Sequence, residues 1–223
     1  MSDPTFVGGS AQAVYPTSSH VVSNPGVVAG DLMVQFMYWY VPYGTTLTPP
    51  SGWVQRQAWA TLIGESYEIY TKIATGSEPA TYTWGFAGST SVFAALCAYT
   101  GNTTDNMSMT AATNGAGGPA YFWNAGSTPQ TAGGNNDHAR VLQLSAWWDG
   151  NGGLVGGAAD PATTPRFSVN RGGQYFIVAD EILTTPSRPV RTLQGSGFGG
   201  EVNCSPGFEI SIPYSGGNWA WVS

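Results

Sequence analysis

Charge is what this chain has least of. Of its 223 residues only 7 are Lys or Arg and 13 are Asp or Glu, a charged fraction of 9% with a formal net charge of −6. So few basic side chains cannot line a phosphate backbone, and no nucleic-acid partner is expected. A surface this neutral has two readings: it is buried against copies of itself or a scaffold, or it stays soluble through Gly, Ser, Thr and Asn hydrogen bonding. Histidine is scarcer still. His20 and His138 stand far apart with no Cys or carboxylate at ligand spacing, which argues against a transition-metal site. Of the two cysteines, Cys97 lies in an apolar run and Cys204 in a loop before Pro206-Gly207. Spacing leaves open a disulfide or two free thiols, one of them a small core residue. No apolar run approaches the ~20 residues that span a bilayer, so no membrane partner is expected. Met1-Ser-Asp-Pro lacks the basic start and apolar run of a secretory signal, and assembly in a cytoplasm is the expectation.

Reactive constellations are missing too. There is no Gly-x-Ser-x-Gly elbow, and neither histidine sits where it would serve a serine or Cys97 as base. Asp180-Glu181 is the tightest carboxylate pair, but neighbours on a strand point to opposite faces and do not converge on one substrate. Glu65, Glu68 and Glu78 are placed at turns or solvent faces. Asn135-Asn136-Asp137 and Asp149-Gly150-Asn151-Gly152 offer oxygen ligands for calcium, yet Asn, Asp and Gly are what tight turns require. The glycine runs Gly115-Ala-Gly117-Gly118 and Gly195-Ser-Gly197-Phe-Gly199-Gly200 have neither the lysine nor the following helix of a phosphate loop. The expectation is a non-enzyme with no catalytic residues, no metal and no cofactor.

What is abundant is turn chemistry and aromatic surface: 31 Gly, 15 Pro, 9 Trp, 11 Tyr and 9 Phe, within a chain that is 42% hydrophobic. That much apolar material excludes disorder. Apolar runs of strand length alternate with turns throughout, and no window has helical periodicity. The predicted class is all-β: a two-sheet antiparallel β-sandwich, jelly-roll-like, with long loops. Asp31 to Val41 is nearly continuously apolar, as a strand covered on both faces would be. Tyr67, Ile69, Thr71 and Ile73 are assigned inward against Glu68, Tyr70 and Lys72. Tyr82, Trp84 and Phe86 alternate with small residues, and a turn at Gly88 precedes a further strand from Val92 to Tyr99. Strand patterns recur at Val141 to Trp148, Arg166 to Val169, Gln174 to Leu183 and Phe208 to Ile212. The set starting at Leu32 and Tyr67 is echoed by the set starting at Leu142 and Tyr175; duplication and chance similarity of apolar strands both account for it.

A single domain over residues 1–223 is expected, with an N-terminal arm at 1–16, a long loop or insertion at 102–137 and a C-terminal tail at 214–223. Tyr67, Trp84 and Trp147 are assigned to the core. Tyr43, Tyr121, Trp123, Trp219 and Trp221 fall in loops or the tail and are the candidate contact residues, since exposed Trp and Tyr anchor interfaces and stack on sugars.

One stretch carries a resemblance. Ala29-Gly30-Asp31-Leu32, Pro49-Pro50-Ser51-Gly52-Trp53, Tyr70-Thr-Lys72-Ile-Ala74 with Gly76-Ser77-Glu78-Pro79, Tyr82-Thr83-Trp84 and Ala94 to Gly101 resemble a β-sandwich domain that recurs in structural proteins of tailed bacteriophages and related bacterial surface proteins. The resemblance covers Ala29 to Gly101; Ala139 to Pro213 keeps the strand rhythm with few of the signature residues, and Asn102 to Asp137 departs from it. It implies a virion component, by preference a capsid decoration (cement) protein on the capsid surface, assembled in the host cytoplasm. Its partners would be the major capsid protein and further copies of itself, a trimer by preference. The alternative is a carbohydrate-binding module of a tail fibre or bacterial surface protein, with a glycan as ligand.

Overall fold

The computed structural model of the chain describes residues 3–40, 46–60, 65–100, 108–112, 122–125, 140–149, 156–158, 162–171, 174–182, 191–196, 202–204 and 207–212. Every regular element among them is a strand, and every strand pairing is antiparallel. The fold is therefore all-β, of the β-sandwich class. Two compact units form: Thr5–Asp105, and Asn106–Ser223 together with Met1–Pro4.

The first unit is one curled sheet. Its strands are β1 (Thr5–Ser23), β2 (Leu32–Tyr40), β3 (Leu47–Thr48), β4 (Val54–Ala60), β5 (Glu65–Ile73) and β6 (Thr81–Thr100), ordered β1-β6-β2-β5-β4 with β3 added to β6. The two strands expected on either side of Gly88 are one 20-residue strand. Gly88 does not reverse the chain; with φ at 129° it adopts a conformation that costs a glycine little, and β6 bends there. Opposite it, β1 shifts register between Val14 and Thr17 and again before Ser19. The bend lets the first half of β6 face the rest of the sheet. Tyr82, Trp84 and Phe86 from β6 then share one core with Met33, Met37 and Trp39 from β2, Tyr70 from β5, and Trp53. Trp84 packs against Trp53 at 5.2 Å and Tyr70 at 4.9 Å between ring centroids.

The sequence of the 1–16 arm predicts one weak strand around Thr5 to Tyr15; that strand is observed and runs on as the edge strand β1, 19 residues long and paired along β6. Gly8, Gly9, Gln12 and Pro16 dilute its strand signal, but an edge strand draws its ladder from its neighbour and needs no apolar pattern of its own. The strand covered on both faces is observed, since Leu32 through Trp39 of β2 are all buried. The inward assignment on β5 needs correction. Glu68 and Tyr70 are as buried as Tyr67 and Ile69, because the curl turns the face once assigned to solvent into a core.

The second unit holds β7 (Ser108–Ala112), β8 (Phe122–Ala125), β9 (Arg140–Asp149), β10 (Gly156–Ala158), β11 (Thr164–Arg171), β12 (Gln174–Ile182), β13 (Arg191–Ser196), β14 (Val202–Cys204) and β15 (Gly207–Ile212). Its main sheet runs β11-β12-β9-β15-β7 with β14 on β9, and a smaller sheet runs β10-β13-β8. Two strands thus lie in the 102–137 segment expected to be a loop. Their partners are distant in sequence: β7 pairs with β15 and β8 with β13, so local pattern alone does not announce them.

The sequence echo has a topological counterpart. Read from the strand earliest in sequence, the main path of the first sheet is β1-β6-β2-β5-β4 and that of the second is β7-β15-β9-β12-β11. Along both paths the earliest strand pairs with the latest, the latest with the second in sequence, and that strand with the second-latest. β3 and β14, which attach off these paths, and the three strands of the small sheet lie outside this scheme. Duplication explains this shared order better than chance similarity of apolar runs.

Candidate interaction surface

The residues that carry the resemblance form a structural network. Gly52 has φ of 84° in the turn where Trp53 N–H donates to the Pro50 carbonyl, and this turn delivers Trp53 into the core. A Cβ on Gly52 would lie 3.2 Å from Cε of Lys72. Lys72 Nζ in turn donates to Oε2 of Glu78 at 2.7 Å and lies 5.4 Å from the centroid of the Tyr82 ring. Glu78 Oε2 also accepts from the Tyr82 hydroxyl at 2.9 Å, while Oε1 accepts from the Thr75 N–H at 2.7 Å and its hydroxyl at 2.9 Å. Burial alone would raise the Glu78 carboxyl, but Lys72, Thr75 and Tyr82 together outweigh it and hold the group down at about 2. The Tyr82 phenol is pushed up, first by burial and then by Glu78. Of the two placements expected for Glu78, turn or solvent face, the turn is observed: its side chain is 2% exposed and closes the turn between β5 and β6.

The remaining described ionisable groups inside the sheets are similarly engaged. Glu68 accepts from Gln55 Nε2 at 2.7 Å, from Ser66 Oγ at 3.2 Å and from the Tyr70 hydroxyl. Burial, followed by Glu68, raises the Tyr70 phenol. On β12, Asp180 is fully buried and bound by two guanidinium groups: Arg140 Nη1 at 2.7 Å, and Arg166 Nε and Nη2 at 2.7 and 2.8 Å. Arg140 Nε also donates to the Pro4 carbonyl at 2.7 Å. His20 is the exception. It lies opposite Trp84 on the core face of β1, is 1% exposed, and its Nδ1 has no hydrogen-bond partner; burial lowers its pKa to about 4. Among the described residues no three His, Cys, Asp or Glu side chains are grouped to hold a metal ion, and no helix is long and apolar enough to cross a membrane. Cys97 is buried and forms no disulfide.

Of the candidate contact aromatics, Tyr43, Tyr121, Trp219 and Trp221 lie outside the described residues. Trp123 lies within them and is not in a loop; it is on β8, an edge strand of the small sheet, opposite Leu193. What the aromatic count misses is the open edge of the first sheet. Among the five large apolar residues found exposed, Tyr15 and Val21 are on β1 and Val28 follows it. The signal is present in the sequence as an absence: no Asp, Glu, Lys or Arg occurs anywhere in Thr5–Ser23. Charged side chains are a common protection for such an edge. No family model, no curated protein and no solved structure matches this chain.

Proposed function

We propose that this protein acts by contact rather than by catalysis, as a virion structural protein of the capsid decoration type that binds and stabilises a phage head shell. One observation carries the reading. The described ionisable clusters, Glu68, Glu78 and Asp180 with their partners, brace the sheets from within, whereas an uncharged strand edge with exposed apolar residues faces outward. Such a molecule suits lateral contacts on a shell. Bridging the major capsid protein subunits would add interface area that resists internal pressure, and each stable contact would bury on the order of 1,000 Å² or more. The resemblance over Ala29 to Gly101 points the same way. The test is uptake by expanded capsids: the purified protein should bind saturably and raise the temperature at which the shells break, and shells that neither take it up nor gain stability would retire the reading.

The placement of Trp123 on an edge strand supports a second reading, a carbohydrate-binding module. Saturable binding on a glycan array, lost in Trp123→Ala, would select it over shell decoration.

A further inference from the structure

A buried imidazole lies on the edge strand of the first sheet. His20 sits opposite Trp84 of β6, is 1% exposed, and its Nδ1 has no hydrogen-bond partner. The segment that carries it, Ser19–Ser23, is bounded at both ends. On one side β1 shifts register between Val14 and Thr17 and again before Ser19. There the Thr17 hydroxyl takes up both backbone groups of Ser19, accepting from its N–H at 3.1 Å and donating to its carbonyl. On the other side Asn24 donates from its backbone N–H to the Ala80 carbonyl at 2.9 Å and from Nδ2 to the Pro79 carbonyl at 3.0 Å. Asn24 and Ala80 are thus a hydrogen-bonded pair. By the alternation of an antiparallel ladder Val22 and His20 also bond to β6, whereas Val21 and Thr83 oppose each other without a direct bond. β1 is the edge of its sheet, so among the described residues this segment pairs with β6 alone. Within it His20 and Val22 are buried, and Ser19, Val21 and Ser23 are exposed.

We propose that Ser19–Ser23 is an acid-released segment: a proton on His20 frees it from β6 while Thr5–Val14 stays paired. The proton would place a positive charge, with no acceptor at Nδ1, inside an apolar core. β1 itself has no Asp, Glu, Lys or Arg to answer that charge. The other elements of the core bring Tyr82 from β6, Tyr70, Glu68 and Lys72 from β5, and Glu78 from the turn between them. These groups bond to one another, Tyr70 to Glu68 and both Lys72 and Tyr82 to Glu78, and none bonds to His20. Met33, Met37, Trp39, Leu47 and Trp53 add no ionisable group. Burial alone lowers the imidazole pKa, to about 4, so no carboxylate offsets the charge. A charged His20 reaches water by the smallest opening that frees it. Release of a short segment bonded on one side is a smaller opening than loss of the unit. The inference holds or fails independently of shell binding.

Amide hydrogen exchange on the full chain, with each rate divided by its intrinsic rate at that pH, tests it. An imidazole that titrates near 4 when buried and 6.5 when released shifts the opening equilibrium about 30-fold between pH 7.5 and pH 5.0. Glu78, held at about 2, stays ionised over that range in the folded chain. The amides of Val22, Tyr82 and Trp84 should lose protection by that factor, and at pH 5.0 they should be less protected than those of Leu32–Trp39. In His20→Leu the segment should be equally protected at both pH values. Val21→Cys with Thr83→Cys replaces two exposed residues opposed in the register. The disulfide between them should keep the segment closed at pH 5.0 with His20 intact, and reducing it should restore the loss. Wild-type protection that does not change with pH would overturn the proposal, as would a loss that persists in His20→Leu or in the oxidised double variant. So would a segment that exchanges in step with Leu32–Trp39, because then only the whole unit opens.

Discussion

At the scale of single residues, the sequence motif around Glu78 is explained by hydrogen-bond accounting. Four donors converge on one carboxylate whose side chain is 2% exposed. Glu78→Ala would leave Lys72 and the Tyr82 hydroxyl without that partner at a largely buried site. A loss of about 2–4 kcal/mol in unfolding free energy is expected by urea titration. Gly52→Ala combines a left-handed backbone with a Cβ pressed against Lys72, and should cost about 1 kcal/mol or more in the same assay.

Glu78 and His20 both contribute to the response to acid, His20 over the higher pH range. Glu78 is held at about 2 in the folded chain against an ordinary value of 4.5, so its contribution is present above about 4.5 and is lost as pH falls toward 2. His20 titrates near 4 in the folded chain against 6.5 ordinarily. Between those values the unfolded chain binds the proton and the folded chain does not, so stability falls as pH drops from about 6.5 to about 4. The melting temperature should decline across that upper window, and His20→Leu should flatten the decline. An equal slope in His20→Leu would contradict the burial of an imidazole whose Nδ1 lacks a partner.

At the scale of elements, Asp180 joins β9, β11 and β12. Arg140 comes from β9 and Arg166 from β11, and both meet the one carboxylate on β12. Asp180→Ala would remove the carboxylate that two largely buried guanidinium groups share, and should destabilise the second unit by about 3–5 kcal/mol, read by calorimetry. Leucine at the same position should cost less than alanine only if packing, and not charge pairing, dominates there. The element scale also shows what local pattern can reveal. β2, β9 and β12 are legible in the sequence because their middles are dense in apolar residues, and β5 because its apolar residues alternate with polar ones. The bend in β6 is not, because Gly88 reads equally as a turn and as a pivot. β7 and β8 are obscured, and β1 is only weakly legible from Thr5 to Tyr15, for a different reason: edge strands are specified by distant partners, and Gly, Ser, Thr and Ala suffice for them. The faces of β5 were assigned from alternation, which cannot indicate that a curled sheet buries both.

At the scale of the whole molecule, the same strand order occurs twice, yet the two edges differ. The edge strand is 19 residues in the first unit and 5 in the second. Of the candidate surface, the sequence reveals the excess of aromatics and the poverty of charge. It does not reveal that β1 is the edge of its sheet, because an edge is a property of strand order and not of side-chain type.

The central claim, that this chain works by binding a shell, is tested most directly by co-sedimentation of the purified protein with expanded capsids that lack decoration. The expected result is saturable uptake at a fixed ratio to capsid subunits, with decorated shells surviving heating that breaks bare ones. A protein that remains in the supernatant at every concentration, with shells no more resistant to heat, would contradict it.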